Sequence, residues 1–263
     1  GMGVQLADKI VLVTGAAGGV GRVVAAQMAA EGAKTVLLAD LAPEPLTEAA
    51  ASIEAAGGSA GSIVADLGSA EGCAELVARV AERYGRLDVL VHTAAVPNSP
   101  VDFLSVPDEV WASEIALHMN ASFYLGRGFA ALMARTGGGS LLYTGSIAAS
   151  GGARGMAGYT AAKTGLLGLV RAMAVDLAPR GIRVNLVSPG AVDTPRYRQR
   201  ITDDESMARL RDHFPPAPLD RIATPKDVAA AFVFLASDNA GYITGHNLVV
   251  DGGTSIWMRT PND

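Results

Sequence analysis

The chain has 263 residues, 49% of them hydrophobic but only 5% aromatic, with 31 glycines and a formal charge of −5. That acidic balance argues against nucleic acid or an anionic membrane as the main partner. Cys73 is the only cysteine, which rules out an internal disulfide and a thiolate zinc site. The four histidines (His92, His118, His213, His246) show no ligand spacing, so no metal is expected. No apolar run reaches the roughly 18–20 residues of a membrane span. Asp8 and Lys9 precede the first apolar stretch, so no signal peptide is read, and a reducing cytoplasm is the expected compartment.

Taken in chain order, the elements alternate strand and helix. Ile10–Val13 is a short apolar run, followed by a glycine turn and a helix over Val20–Ala30. Thr35–Ala39 is apolar again, and Pro43–Ala56 reads as a helix closed by Gly57 and Gly58. Ile63–Ala65, Ser69–Tyr84, Leu87–His92 and one long helix from about Pro107 to Ala134 continue the pattern. Gly139–Gly145 is a strand, Tyr159–Ala178 a helix, Ile182–Val187 a strand, Pro225–Ala236 a helix and Asn247–Val250 a last strand. Apolar strands without alternation are buried on both faces. The expected fold is therefore an α/β doubly wound, mostly parallel seven-stranded sheet of Rossmann type, with helices on both faces. A single domain over 1–263 is expected, because no linker or composition shift marks a boundary. The polar, proline-containing stretch at about 196–220 reads as a long loop, a length usually tied to function or mobility.

Two clusters carry chemistry. Thr14-Gly15-Ala16-Ala17-Gly18-Gly19-Val20-Gly21 follows the first strand and opens the first helix. Glycines there allow positive φ and close backbone approach to a pyrophosphate, and the helix N-terminus favours its charge. Asp40 lies at the end of the second strand, where a carboxylate would hold the adenosine ribose hydroxyls. A 2′-phosphate beside Asp40 would be repelled, and Leu41, Ala17 and Gly18 offer no positive charge, so NAD is expected over NADP. At the other end, Tyr159 and Lys163 are four residues apart on one helix face. Ser146 stands just past the fifth strand, at the edge where ligands of open parallel sheets lie.

Together TGAAGGVG (14–21), Asp40, Asp66, Asn120, Ser146, YTAAK (159–163), VNLVSPGAVDT (184–194) and DGG (251–253) resemble the short-chain dehydrogenase/reductase family, single-domain branch, over essentially the whole chain. The resemblance implies hydride transfer between a nicotinamide and a secondary alcohol or ketone. It implies Tyr159 as general acid/base, Lys163 as the group that stabilises its phenolate and binds the nicotinamide ribose, and Ser146 as the donor to the substrate oxygen. Asn120 matches the residue that anchors a water linking the lysine to solvent. The cofactor set it implies is Gly15, Gly18, Gly19, Val20, Gly21, Asp40, Leu41, Asp66, Leu67, Ala94, Tyr159, Lys163, Pro189, Gly190, Val192 and Thr194. Asp66 and Leu67 would flank the adenine, and Thr194 would bind the carboxamide or the phosphate.

The chain departs from the family's Asn-Asn-Ala-Gly after the fourth strand, where it has His92-Thr93-Ala94-Ala95. A buried, hydrogen-bonded His92 holding the sheet is the expectation there. The substrate pocket is expected among Val96, Ile147, Met156 and the 196–220 loop. Arg196, Arg198 and Arg200 in that loop are either an anion site or a solvated face, and the loop is read as a lid. The resemblance also implies a homotetramer, or a dimer, joined through the helices at about 107–134 and 159–179. Two other readings stand beside the dehydrogenase: a non-catalytic NAD-binding module, and an NADP-linked 3-oxoacyl-thioester reductase.

Overall fold

The computed structural model describes residues 5–96, 100–198 and 217–258. Seven parallel strands form one sheet in the order β3-β2-β1-β4-β5-β6-β7. They are β1 (Ile10–Thr14), β2 (Thr35–Asp40), β3 (Ala60–Val64), β4 (Val89–His92), β5 (Gly139–Thr144), β6 (Ile182–Pro189) and β7 (Asn247–Val250). The order reverses between β1 and β4, the switch point where a ligand crevice opens outside the carboxyl ends of the strands. In that register Thr14 lies directly opposite His92.

Two apolar layers hold the helices to the sheet. On one face α1 (Gly19–Ala30), α2 (Pro43–Ala55) and α8 (Pro225–Ala236) bury Val24, Met28, Ile53 and Phe232 against Val11, Val13, Val36 and Leu38. On the other, α3 (Ala70–Tyr84), α5 (Ala121–Arg135) and α6 (Ala157–Leu177) bury Leu76, Val80, Leu125, Phe129 and Leu166 against Leu12, Leu37, Leu90 and Leu141. Successive strand side chains point to opposite faces, so strands covered on both sides are apolar throughout. That is why β1 and β4 are buried at every position.

The helix expected from about 107 to 134 is instead two helices. Asp108–Ile115 (α4) and α5 are joined by a π turn over Ala116–Asn120. Such a turn widens the helix by one residue and re-aims the side chains that follow. Of the 196–220 loop, Pro195–Arg198 forms a short helical turn (α7) and Ala217–Asp220 is described. Arg200 and the rest of the loop, including the expected lid, lie outside the described residues.

Candidate active site

The glycine turn lies between β1 and α1. Gly15 has φ 64° and a Cβ there would stand 2.7 Å from the Ala94 backbone, while a Cβ on Gly21 would strike the carbonyl of Gly15. Both positions therefore require glycine for close approach rather than for flexibility. A Cβ on Gly18 or Gly19 would meet nothing within 4 Å, so that side of the turn faces open space. Gly18 caps α1 without any side-chain hydrogen bond. The first-turn N–H groups of α1 are thus left for an outside acceptor, as phosphate would be.

Asp40 stands at the end of β2 beside this turn. Its carboxylate accepts from the N–H groups of Ala17 (3.1 Å), Leu41 (2.7 Å) and Ala42 (3.2 Å). These bonds fix a negative charge at the open end of the turn, a position suited to ribose hydroxyls. Leu41 is exposed. Asp66 Oδ1 accepts from Gly68 N–H at 2.9 Å, but the Leu67 side chain is buried in the core under α3, leaving only its backbone for the adenine. Pro189 and Gly190 continue β6 beside Val250 and Asp251. Val192 bridges to Ala223, and the Thr194 hydroxyl accepts from Tyr197 N–H at 3.2 Å. The nicotinamide-dinucleotide fit is thus carried by the open turn, the uncapped helix and the oriented carboxylate.

At the carboxyl end of β4, Thr14 Oγ1 accepts from the N–H groups of Thr93 (3.1 Å) and Ala94 (3.4 Å) and lies 2.7 Å from His92 Nδ1. With two donors already on the hydroxyl, its own hydrogen goes to Nδ1. That leaves the proton of the neutral ring on Nε2, which donates to Leu117 O at 3.2 Å within the π turn. His92 therefore does what was expected of it, tying β1 and β4 to the helix above them. Burial pushes its pKa down to about 4, with a lesser lowering from Lys163.

Ser146, Tyr159 and Lys163 converge next to this point. Ser146 caps a short 3-10 turn, Ile147–Ser150, and accepts from Ala148 N–H at 3.1 Å. It also acts on the Tyr159 hydroxyl, favouring its ionised form. Lys163 Nζ lies 5.6 Å from the centre of the Tyr159 ring and donates to Thr144 O at 2.6 Å. Lys163 is only 5% exposed, and burial lowers its pKa to about 7. Burial raises the Tyr159 phenol; Ser146 opposes that and the Glu114 charge adds to it.

Asn120, expected among these groups, is exposed at the end of the π turn. The widened turn brings His118 to the inner side instead. Its ring packs edge-on against Tyr159, with centroids 5.2 Å apart at 88°. His118 is 2% exposed and neither ring nitrogen has a hydrogen-bond partner. Burial, followed by the charges of Lys163, His92 and Arg196, pushes its pKa far down. Glu114 in α4 is also buried, with its carboxylate against Gly158 at the start of α6; burial raises its pKa, and the Tyr159 backbone opposes that. Neither His118 nor Glu114 was singled out as a site residue from sequence. Their signal lies in the packing of α4 on α6. Among the loop arginines, Arg198 is held by Asp193 through two 2.7 Å bonds, and Arg196 reaches the carbonyl of Val96 at 3.4 Å.

Known proteins are similar to this chain over nearly its whole length. The family model described as enoyl-(acyl carrier protein) reductase matches residues 15–255. L-rhamnose 1-dehydrogenase (NAD(P)(+)) of Azotobacter vinelandii is 37% identical, covering 97% of this chain and 99% of that protein. The 3-oxoacyl-[acyl-carrier-protein] reductase of Thermotoga maritima is 32% identical over 96% of this chain and 100% of its own. The structure of L-sorbose reductase from Gluconobacter frateurii, complexed with NADPH and L-sorbose, superposes with a TM-score of 0.89 at 29% identity, over 98% of this chain and 100% of that one. The chain belongs to the short-chain dehydrogenase/reductase family and is an oxidoreductase of that family.

The buried neutral His92 makes stability depend on pH. Unfolded, the imidazole titrates near its ordinary 6.5; folded, near 4. The unfolded state binds the extra proton first, so stability is full above 6.5 and declines as pH falls toward 4, by on the order of 3 kcal/mol. Urea unfolding of the wild type and of His92→Asn at pH 7.5 and 4.5 checks this. The gap between the two pH values should be clearly smaller in the variant, and equal gaps would refute the assignment.

Proposed function

We propose that the protein is an NAD-dependent dehydrogenase or reductase acting on a secondary alcohol or its ketone, with Tyr159 as general acid and base. The observation that carries this reading is the convergence of Ser146, Tyr159 and Lys163, with Lys163 Nζ 5.6 Å from the centre of the tyrosine ring, at the strand ends next to the dinucleotide turn. Bound there, the nicotinamide supplies or accepts the hydride. Ser146 holds the substrate oxygen near the phenol, which fixes the geometry of proton transfer. In reduction Tyr159 donates its proton to the carbonyl oxygen; in oxidation the phenolate takes it back from the alcohol. Lys163 at about 7 is close to half charged at neutral pH, so its support of the phenolate is itself adjustable.

The catalytic set is taken as Ser146, Tyr159 and Lys163, with Asn120, exposed at the end of the π turn, as the anchor of a water leading to solvent. The choice of NAD rests on Asp40. Its carboxylate is locked by three backbone N–H groups at the place where a 2′-phosphate would lie, and like charges there repel. Two relatives are named for L-rhamnose and L-sorbose, so sugars and polyols head the substrate screen. Assembly as a homotetramer, or a dimer, is supported by an open groove of about 400 Å3 between α5 and α6, lined by Phe123, Arg127, Ala130, Met173 and Asp176.

Three outcomes follow from this reading. With a substrate found by screening, Tyr159→Phe should lower kcat by about 10²–10⁴-fold while NADH binding, followed by fluorescence, persists; retention of most turnover would disprove the mechanism. The kcat/KM ratio should favour NADH over NADPH, and Asp40→Ala should shrink that preference by about tenfold or more; a wild type preferring NADPH would overturn the cofactor choice. Light scattering of the purified protein should report four copies, or two, and a monomer at micromolar concentration would refute assembly through these helices.

A further inference from the structure

Tyr159 is gripped from its far side by a residue outside the catalytic set. The N-terminus of α6 carries no cap of its own: Met156 makes no side-chain cap bond and the first turn has no acidic residue. The missing acceptor comes from another helix. Glu114 of α4, only 5% exposed, brings its carboxylate to this turn, where the Tyr159 backbone favours its charge against burial. A Cβ on Gly158 would collide with Glu114 Oε2, so the glycine before the tyrosine is what lets the carboxylate in. The orphan N–H groups and the helix dipole favour a carboxylate at a helix N-terminus, while burial works against the Glu114 charge and raises its pKa.

We propose that Glu114 is a positioning residue for Tyr159: its buried carboxylate pins the first turn of α6 and sets a negative charge beside the phenol. The proposal deepens the function given above and rests on Tyr159 being the acid and base. Two consequences arise from one contact. The contact at Gly158 fixes where the next residue sits, so the Tyr159 ring meets the edge of His118 and comes within reach of Ser146. The charge disfavours phenolate, because like charges close together oppose ionisation. The other groups facing the site are Lys163 on the same helix, Ser146 from the 3-10 turn, His118 from the π turn, His92 behind Lys163, and Arg196, whose charge reaches His118. His118 is neutral and carries no charge into this balance. Glu114 is thus the anion set against Lys163. It extends upward the pH range in which Tyr159 stays a phenol able to protonate a carbonyl, and it moves the onset of alcohol oxidation to higher pH.

The test uses three variants of the full chain. Glu114→Gln keeps size and an acceptor oxygen but removes the charge, Glu114→Asp keeps the charge, and Glu114→Ala removes both. A tyrosinate difference titration against Tyr159→Phe reads Tyr159 without substrate or turnover. Glu114→Gln should lower its midpoint by about one unit, a tenfold change in ionisation constant, and Glu114→Asp should stay close to wild type. Glu114→Ala should show the same fall together with a loss of thermal stability from the unpinned helix. With an active substrate, the acid limb of the kcat profile for oxidation should move down by the same amount. An unchanged midpoint in Glu114→Gln overturns the proposal even if Tyr159→Phe is inactive. A lowered midpoint in a protein that transfers no hydride sustains it and overturns the functional reading alone.

Discussion

Thr14 Oγ1 is where the sheet, the cofactor turn and the catalytic helix are joined. The hydroxyl sits at the last residue of β1, opposite His92 in register. It takes the N–H groups of Thr93 and Ala94 and hands its hydrogen to His92. The Thr93 hydroxyl returns a bond to Thr14 O at 2.6 Å. At a topological switch point the two central strands diverge toward opposite helical layers, and their ends would otherwise leave backbone donors unpaired. The Thr14 hydroxyl satisfies those donors, and the imidazole takes the hydroxyl's own hydrogen and so holds it in place. Ala94 is thereby set against Gly15 so closely that only glycine fits, which places the cofactor turn. Through Leu117 O the same imidazole places the π turn, and with it His118.

Burial acts in opposite directions on the two ionisable groups of the site. It raises the phenol of Tyr159 and lowers the ammonium of Lys163 to about 7, so each is driven toward its uncharged form. Two neutral groups in contact are cheaper to bury than a lone charge of either sign. Ser146 works against that tendency on the tyrosine. The buried surroundings thus store a proton on Tyr159 and leave Lys163 able to change charge near neutral pH. Groups with pKa values close to the working pH transfer protons most readily, and here a dry environment brings the lysine there.

Much of this was legible in the sequence, for physical reasons that differ by element. The strands stood out because a sheet covered on both faces has no polar positions to interrupt its apolar runs, and β1 and β4 are buried throughout. The glycine turn and Asp40 were readable because each needs a particular residue type at a short, fixed distance from a strand end. The break at 116–120 was not. Ala-Leu-His-Met-Asn is an ordinary helical stretch, and a π turn has no residue requirement that separates it from an α turn. Asn120, read as the anchor of a water between the lysine and solvent, ends the π turn at the surface, while the His118 ring turns in against Tyr159. Glu114 was hidden for another reason. Its neighbour, the Tyr159 backbone, is 45 positions away in the chain (159 − 114) and comes near only when α4 docks on α6.

The bond from Lys163 to Thr144 O shows that packing and chemistry are one arrangement here. At 2.6 Å it anchors the second turn of α6 to the last residue of β5, beside the apolar packing of Leu166, Val170 and Leu141. A leucine at that position would bury well but leave the carbonyl at the strand end without a donor. A lysine satisfies the carbonyl and brings its ammonium to the tyrosine ring in the same conformation. Because the carbonyl belongs to the sheet, the ammonium is fixed relative to Ser146, which follows Thr144 by two residues. The helix is thus registered on the strand by the very group that acts on Tyr159, and a shift of α6 large enough to misplace the phenol would first have to break that buried hydrogen bond.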